Sequence, residues 1–157
     1  MKLFSFVFIL GLVAVSAMAQ QGQIREGEDG LYYDDQNKLF TGVHNEYYPD
    51  GSLKIVMPVR KGALHGDVVI YFENGARNEV RAYRSGKMHG TWTTWNDEGV
   101  RLAVANYHKG EKNGKWYIWD DTGIKRYDMT YRKGEKVGTW YMWDEGGSLI
   151  MERSYEK

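Results

Sequence analysis

The chain of 157 residues reads as an all-β protein, an elongated single-layer antiparallel meander of tandem 24-residue β-hairpins. Glycine supplies the first observation: Gly42, Gly66, Gly90, Gly114 and Gly138 step by 24, as do Gly51, Gly75, Gly99, Gly123 and Gly147. A third series, Gly62, Gly86, Gly110 and Gly134, keeps the same step. Aromatic residues supply the second observation. Trp92, Trp116 and Trp140 share one phase, Tyr83, Tyr107, Tyr131 and Tyr155 another, and Tyr47, Tyr71, Trp95, Trp119 and Trp143 a third. Self-similarity at such a period marks a stack of supersecondary units that bury surface against one another. Composition is the third: 19 glycines, 2 prolines and 15% aromatic residues suit a repeat better than an ordinary globule.

The unit is cleanest at residues 115–138, KWYIWDDTGIKRYDMTYRKGEKVG. Two short segments bounded by glycine, about Trp116 to Trp119 and Ile124 to Arg132, read as the strands of a hairpin. Their turn is encoded locally. Tyr48-Pro49-Asp50-Gly51 places proline where a type I turn favours it and glycine at the left-handed position that follows. Asn96, Asp120 and Asp144 stand at the first turn position of later units, where a short polar side chain bonds back to the backbone. Short links between hairpins then give a meander of about ten strands, ~45 to 50 Å across at ~4.8 Å per strand. Residues 27–41 read as a degenerate leading half-unit. A single sheet lacks a conventional core, so the aromatic phases are expected to ladder along its faces. Trp92 and Trp95 are three apart, which a regular strand places on opposite faces. At the ends of the sheet, Pro58 is expected to interrupt an early strand, while Glu152, Arg153, Glu156 and Lys157 charge the last.

The N-terminus predicts export. Residues 1–19 combine Lys2, an apolar stretch from Leu3 to Val15, and small residues Ala17 and Ala19, which reads as a signal peptide cleaved before Gln20. The stretch is shorter than the ~20 residues that span a bilayer. Residues 20–30 form a short linker, residues 31–157 the repeat domain, and the mature protein is expected in the periplasm or secreted. The chain has no cysteine, which excludes a disulfide framework and a lipid-modified N-terminal cysteine. Removal of Lys2 turns 21 basic against 21 acidic residues into 20 against 21, a net charge of minus one. That balance speaks against nucleic acid, whose binders carry surplus Lys and Arg to displace counterions.

Catalysis finds no residues to stand on. G-x-S-x-G, H-E-x-x-H, P-loop and dinucleotide motifs are absent from the sequence. His65 and His89 share a phase, but equivalent positions lie two strands apart, ~9.6 Å, too far for one zinc, so they read as turn-surface histidines. Adjacent acids such as Asp97-Glu98, Asp120-Asp121 and Asp144-Glu145 recur at the turns instead of forming one asymmetric acid/base site. No enzymatic activity, metal or cofactor is expected. Charge is distributed more tellingly: the hairpin tips carry Asp50, Glu73, Asp97, Glu98, Asp120, Asp121, Asp144 and Glu145. The inter-unit links carry Arg60, Lys61, Arg84, Lys87, Lys109, Lys112, Arg132, Lys133 and Lys136 against Glu111 and Glu135. One border of the sheet is therefore expected to be acidic and the other basic.

The units GTWTTWNDEGVRLAVANYHKGEKNG and GKWYIWDDTGIKRYDMTYRKGEKVG, with the leading LFTGVHNEYYPDG, resemble the MORN-repeat variant of bacterial proteins, a group that includes YwqK-like antitoxin components. The resemblance covers residues 31–157 and implies a hairpin-repeat sheet used as a scaffold or protein-binding surface. The leading functional expectation is a partner protein held by Trp92, Trp95, Trp116, Trp119, Trp140 and Trp143 with Lys87, Lys112 and Lys136. Such a scaffold is compatible with a toxin-neutralising role outside the cytoplasm. The alternative is a cell-envelope module for choline or glycans, because Trp and Tyr in rows suit ammonium cages and sugar stacking. Attachment of the basic links to a membrane surface ranks third.

Overall fold

A computed structural model describes residues 23–155; the signal-peptide reading of residues 1–19, Glu156 and Lys157 lie outside them. No helix occurs among the described residues. Strands β1 (Arg25–Glu26) and β2 (Tyr32–Tyr33) form a small antiparallel pair. The main path of the large sheet has ten strands, in the number the repeat predicts. They are β3 (Gly42–Tyr47), β4 (Leu53–Arg60), β6 (Gly66–Tyr71), β7 (Arg77–Arg84), β8 (Lys87–Trp95), β9 (Arg101–His108), β11 (Gly114–Trp119), β12 (Lys125–Arg132), β14 (Gly138–Trp143) and β15 (Leu149–Tyr155). Each pairs antiparallel with its predecessor on this path, and the sheet is open, with β3 and β15 at its ends. Two-residue strands β5 (Ala63–Leu64), β10 (Glu111–Lys112) and β13 (Glu135–Lys136) fold back on β4, β9 and β12.

The hairpin tips form as their sequence dictates. Gly51 N donates to Tyr48 O at 2.9 Å and Tyr48 N to Ser52 O at 2.8 Å, and Gly51 takes φ +86°. The closing bonds recur in every unit, ending at Asp144 and Gly147. A register shift follows each tip, between Glu46 and Tyr47, Ile70 and Tyr71, Thr94 and Trp95, Ile118 and Trp119, and Met142 and Trp143. At each shift the second strand carries one extra residue, such as Lys54 between Leu53 and Ile55. The tip acids cap: Asp120 Oδ1 accepts from the amides of Thr122 and Ile124, both at 3.0 Å, and Asp144 Oδ1 from those of Gly146 and Ser148. Hydrogen bonds from the Thr122 hydroxyl and these amides hold the Asp120 carboxyl below its ordinary range, and Ser52 does the same to Asp50.

The links are hairpins too. Lys61-Gly62, Ser85-Gly86, Lys109-Gly110 and Lys133-Gly134 all have positive φ, from 48° to 92°. The flanking residues pair directly, as in Arg60↔Ala63 and Arg84↔Lys87. Two consecutive left-handed residues between paired strands define a type I′ turn. Successive links are tied together: the amides of Gly62, Gly86, Gly110 and Gly134 donate to the carbonyls of Phe40, Leu64, Met88 and Lys112 at 2.8, 2.9, 2.8 and 2.9 Å. The leading segment joins this series, since Tyr32 N donates to Gly62 O at 2.8 Å and Phe40 N to Tyr32 O at 2.9 Å. It is a hydrogen-bonded cap on the first link.

Pro58 does not interrupt its strand. β4 runs through it, paired with Val43, and Pro58 O accepts from His65 N at 3.0 Å. The ring is accommodated because Gly66 faces it: a Cβ there would stand 3.2 Å from Pro58 Cγ.

Packing adds to the conformational demand for glycine at Gly66 and Gly90. Gly90 has φ +101°, and a Cβ on it would lie 3.1 Å from Ala82 Cβ. Backbone strain and a contact with an immobile neighbour add. Gly90→Ala is expected to lower the unfolding free energy by about 2 kcal/mol, read by urea titration.

Candidate functional site

Cross-strand register assigns every side chain to a face. Val68 pairs with Arg81 and Arg81 with Trp92, while Trp116 pairs with Met129, so these residues share one face with Gly90 and its partner Tyr107. Trp140 and Tyr155 continue it. On this face seven rings form an unbroken ladder, Tyr83, Trp92, Tyr107, Trp116, Tyr131, Trp140 and Tyr155, with centroid separations of 5.7, 5.0, 5.2, 5.2, 5.0 and 4.8 Å. Such tilted contacts stabilise beyond the area they bury. Each indole is also anchored. Trp92, Trp116 and Trp140 donate Nε1–H to the carbonyls of Ala82, Asn106 and Thr130 at 3.2, 3.0 and 3.0 Å. The core lies mainly here: Val59, Val68, Met129 and Trp140 are 3%, 6%, 8% and 7% exposed. Val59 and Val68 hold the phases that aromatic residues occupy later, so the ladder is aliphatic at its start.

Trp95, Trp119 and Trp143 lie on the opposite face, across from Arg101, Lys125 and Leu149 after the bulges. They are half-buried, and each belongs to a row in which basic and aromatic side chains alternate. The Arg101 guanidinium stands 4.6 Å above the Trp119 ring. Lys125 Nζ lies 4.9 Å from the Tyr117 centroid and 5.7 Å from that of Trp143. Tyr117 touches Trp119 at 5.6 Å and Tyr141 stacks on Trp143 at 6.0 Å. Among the described residues no layer lies above these rings. The six tryptophans expected to hold a partner thus divide into a ladder face and an open face, in keeping with the three-residue spacing of Trp92 and Trp95.

The lysines divide as well. Lys112 Nζ sits 4.4 Å over Trp116 and 4.8 Å over Tyr131, and Lys136 Nζ 4.6 Å over Trp140 and 5.3 Å over Tyr155. Both ammonium groups lie over ladder rings, and Arg60, Lys61, Arg84, Lys109, Arg132 and Lys133 are further basic residues of the links. Lys87 stands one position off that phase, opposite Arg84, and Met88 holds the place of the ladder lysines. Around Met88 the ladder face has an open depression of about 550 Å³ lined by Tyr83, Trp92, Lys87, Lys109 and Glu111.

His65 and His89 have a part that the sequence did not suggest. His65 Nδ1 accepts from the amide of Ser85 at 3.3 Å, and His89 Nδ1 from that of Lys109 at 3.4 Å. Thr41 Oγ1 accepts from Lys61 N at 2.8 Å, and Asn113 Oδ1 from Lys133 N at 3.3 Å. All four acceptors occupy one phase, and all four donors are the first left-handed residue of the following link. The side chain clasps one unit to the next. The available signal was that threonine, histidine and asparagine in one phase have only hydrogen-bond acceptance in common.

Fold and faces together define a tandem β-hairpin repeat protein with one packed and one open aromatic face. Residues 136–157 match the family described as MORN repeat variant. No curated protein matches the chain. The matched segment is the fifth unit, and its landmarks Lys136, Gly138, Trp140, Trp143 and Gly147 recur one step earlier as Lys112, Gly114, Trp116, Trp119 and Gly123. MORN repeats are compatible with a scaffold that binds partners.

Proposed function

We propose that the chain is an exported repeat scaffold whose open face holds a partner protein. One observation carries the reading: Trp95, Trp119 and Trp143 stand in a row with interleaved cations and no covering layer, whereas the other three tryptophans are consumed by the ladder. Aromatic and arginine side chains at the centre of a surface are the residues that dominate protein–protein affinity. Neutralisation of a toxin is the particular form this takes in the antitoxin-like relatives of the repeat, and it requires a target outside the cytoplasm here. The test is capture from envelope extracts at low salt with the mature chain. One stoichiometric protein is expected, and repeated recovery of none removes the reading. Export is checked separately by N-terminal sequencing of the mature protein, which is expected to begin at Gln20.

Choline or a glycan on the same rings is the second reading. Arg101 and Lys125 already lie over Trp119 and Trp143, so a quaternary ammonium there must displace a cation of the chain itself. That competition favours the protein partner.

A further inference from the structure

The clasp between units is chemically uneven. At the junctions made by Thr41 and Asn113 the acceptor is an oxygen that keeps its lone pairs at any pH near neutrality. At the two junctions between them the acceptor is imidazole Nδ1. An imidazole accepts only when neutral with its proton on Nε2; once protonated, both nitrogens donate. The Nδ1–H would then face the amide hydrogen of Ser85 or Lys109. We infer that His65 and His89 form a pair of acid-labile clasps, which hold the middle units together at neutral pH and release them on mild acidification.

The surroundings of His89 act in the same direction. His89 packs 4.9 Å from the His108 ring, and Arg84 and Lys109 also face it. Desolvation, helped by the charges of Arg84 and Lys109 and by coupling to His108, holds its pKa below the ordinary 6.5. Glu111 stands opposite His108 in the cross-strand register. His65 lines a cleft with Arg60, Lys61 and Ser85. The sign follows: a histidine whose folded pKa is depressed stabilises fully above its unfolded value and ceases to do so as pH falls through the folded one. For His89 the clasp is therefore intact at pH 7.5 and opens below 6.5. A cation produced there stands beside Arg84 and Lys109, which oppose it.

The four equivalent amides make the experiment internally controlled. Hydrogen exchange of the full mature chain, corrected for intrinsic rates, is followed from pH 7.5 to 5. Protection at Ser85 and Lys109 is expected to fall about fivefold more than at Lys61 and Lys133, the loss of one backbone-donor bond. The double variant His65→Asn/His89→Asn places at both sites the residue already found at position 113, and is expected to abolish the difference. An equal response of all four amides overturns the inference, as does a difference that survives in the double variant. Ring 15N shifts of the unmodified protein provide a check that needs no variant. At pH 7.5 they are expected to report the Nε2–H tautomer for both histidines, and a neutral Nδ1–H tautomer also overturns it.

Discussion

Trp140→Ala is expected to lower the unfolding free energy by about 3 to 4 kcal/mol, the range for deleting a large aromatic side chain from a packed site. Trp140 is 7% exposed, touches Tyr131 and Tyr155 at 5.0 and 4.8 Å, carries Lys136 on its face and donates to Thr130 O. Its removal breaks the ladder and leaves Lys136 without one of its two rings. Trp143→Ala, three residues away on the open face, is expected to cost about 1 kcal/mol, because its stacked contact with Tyr141 is not covered from above. Urea unfolding followed by far-ultraviolet circular dichroism measures both. Equal losses would mean that the two faces are energetically alike.

Partner capture is expected to show the opposite ranking. Replacing Trp95, Trp119 and Trp143 together by alanine removes three ring contacts from the open face without touching the seven-ring ladder. Aromatic anchors in an interface commonly contribute about 2 kcal/mol each, so the triple variant is expected to weaken binding by at least about 100-fold. Titration of the captured protein against both chains measures it. The variant must retain the circular dichroism spectrum of the unmodified chain. Undiminished binding by the triple variant would move the partner off this face.

The repeat was legible because its period is written in residues with few substitutes. Gly51 and its equivalents stand at left-handed turn positions, and Tyr83 and Trp92 head a ladder that tolerates only large rings or, at Val59 and Val68, a smaller aliphatic version. Assignment of residues to faces needed the register. The bulge between Thr94 and Trp95 sits where strand alternation would be counted, and only the pairing with Arg101 fixes the outcome. Lys112 and Lys136 looked like members of a basic border because sequence distance from the turn does not reveal that a strand continues through them. Lys61-Gly62 and Ser85-Gly86 gave no turn signal either, since lysine and serine are uncommon at the first position of a type I′ turn. The clasp phase stayed hidden for a related reason: its function is an acceptor atom, which three different residue types supply.

The bonds from Gly62, Gly86, Gly110 and Gly134 to the carbonyls of the preceding link connect positions 22 residues apart, whatever the total length of the sheet. Ladder, clasp and link all reach no further than the adjoining unit. Such a chain has no keystone. Splicing out residues 90–113 would set Met88 O against Gly134 N, His89 against Lys133 N and Tyr83 beside Trp116, each a partner of the same kind as the one it lost. Length is therefore a quantity that duplication or loss of a single module can adjust while the fold stays as it is, and the span of the open face lengthens or shortens with it.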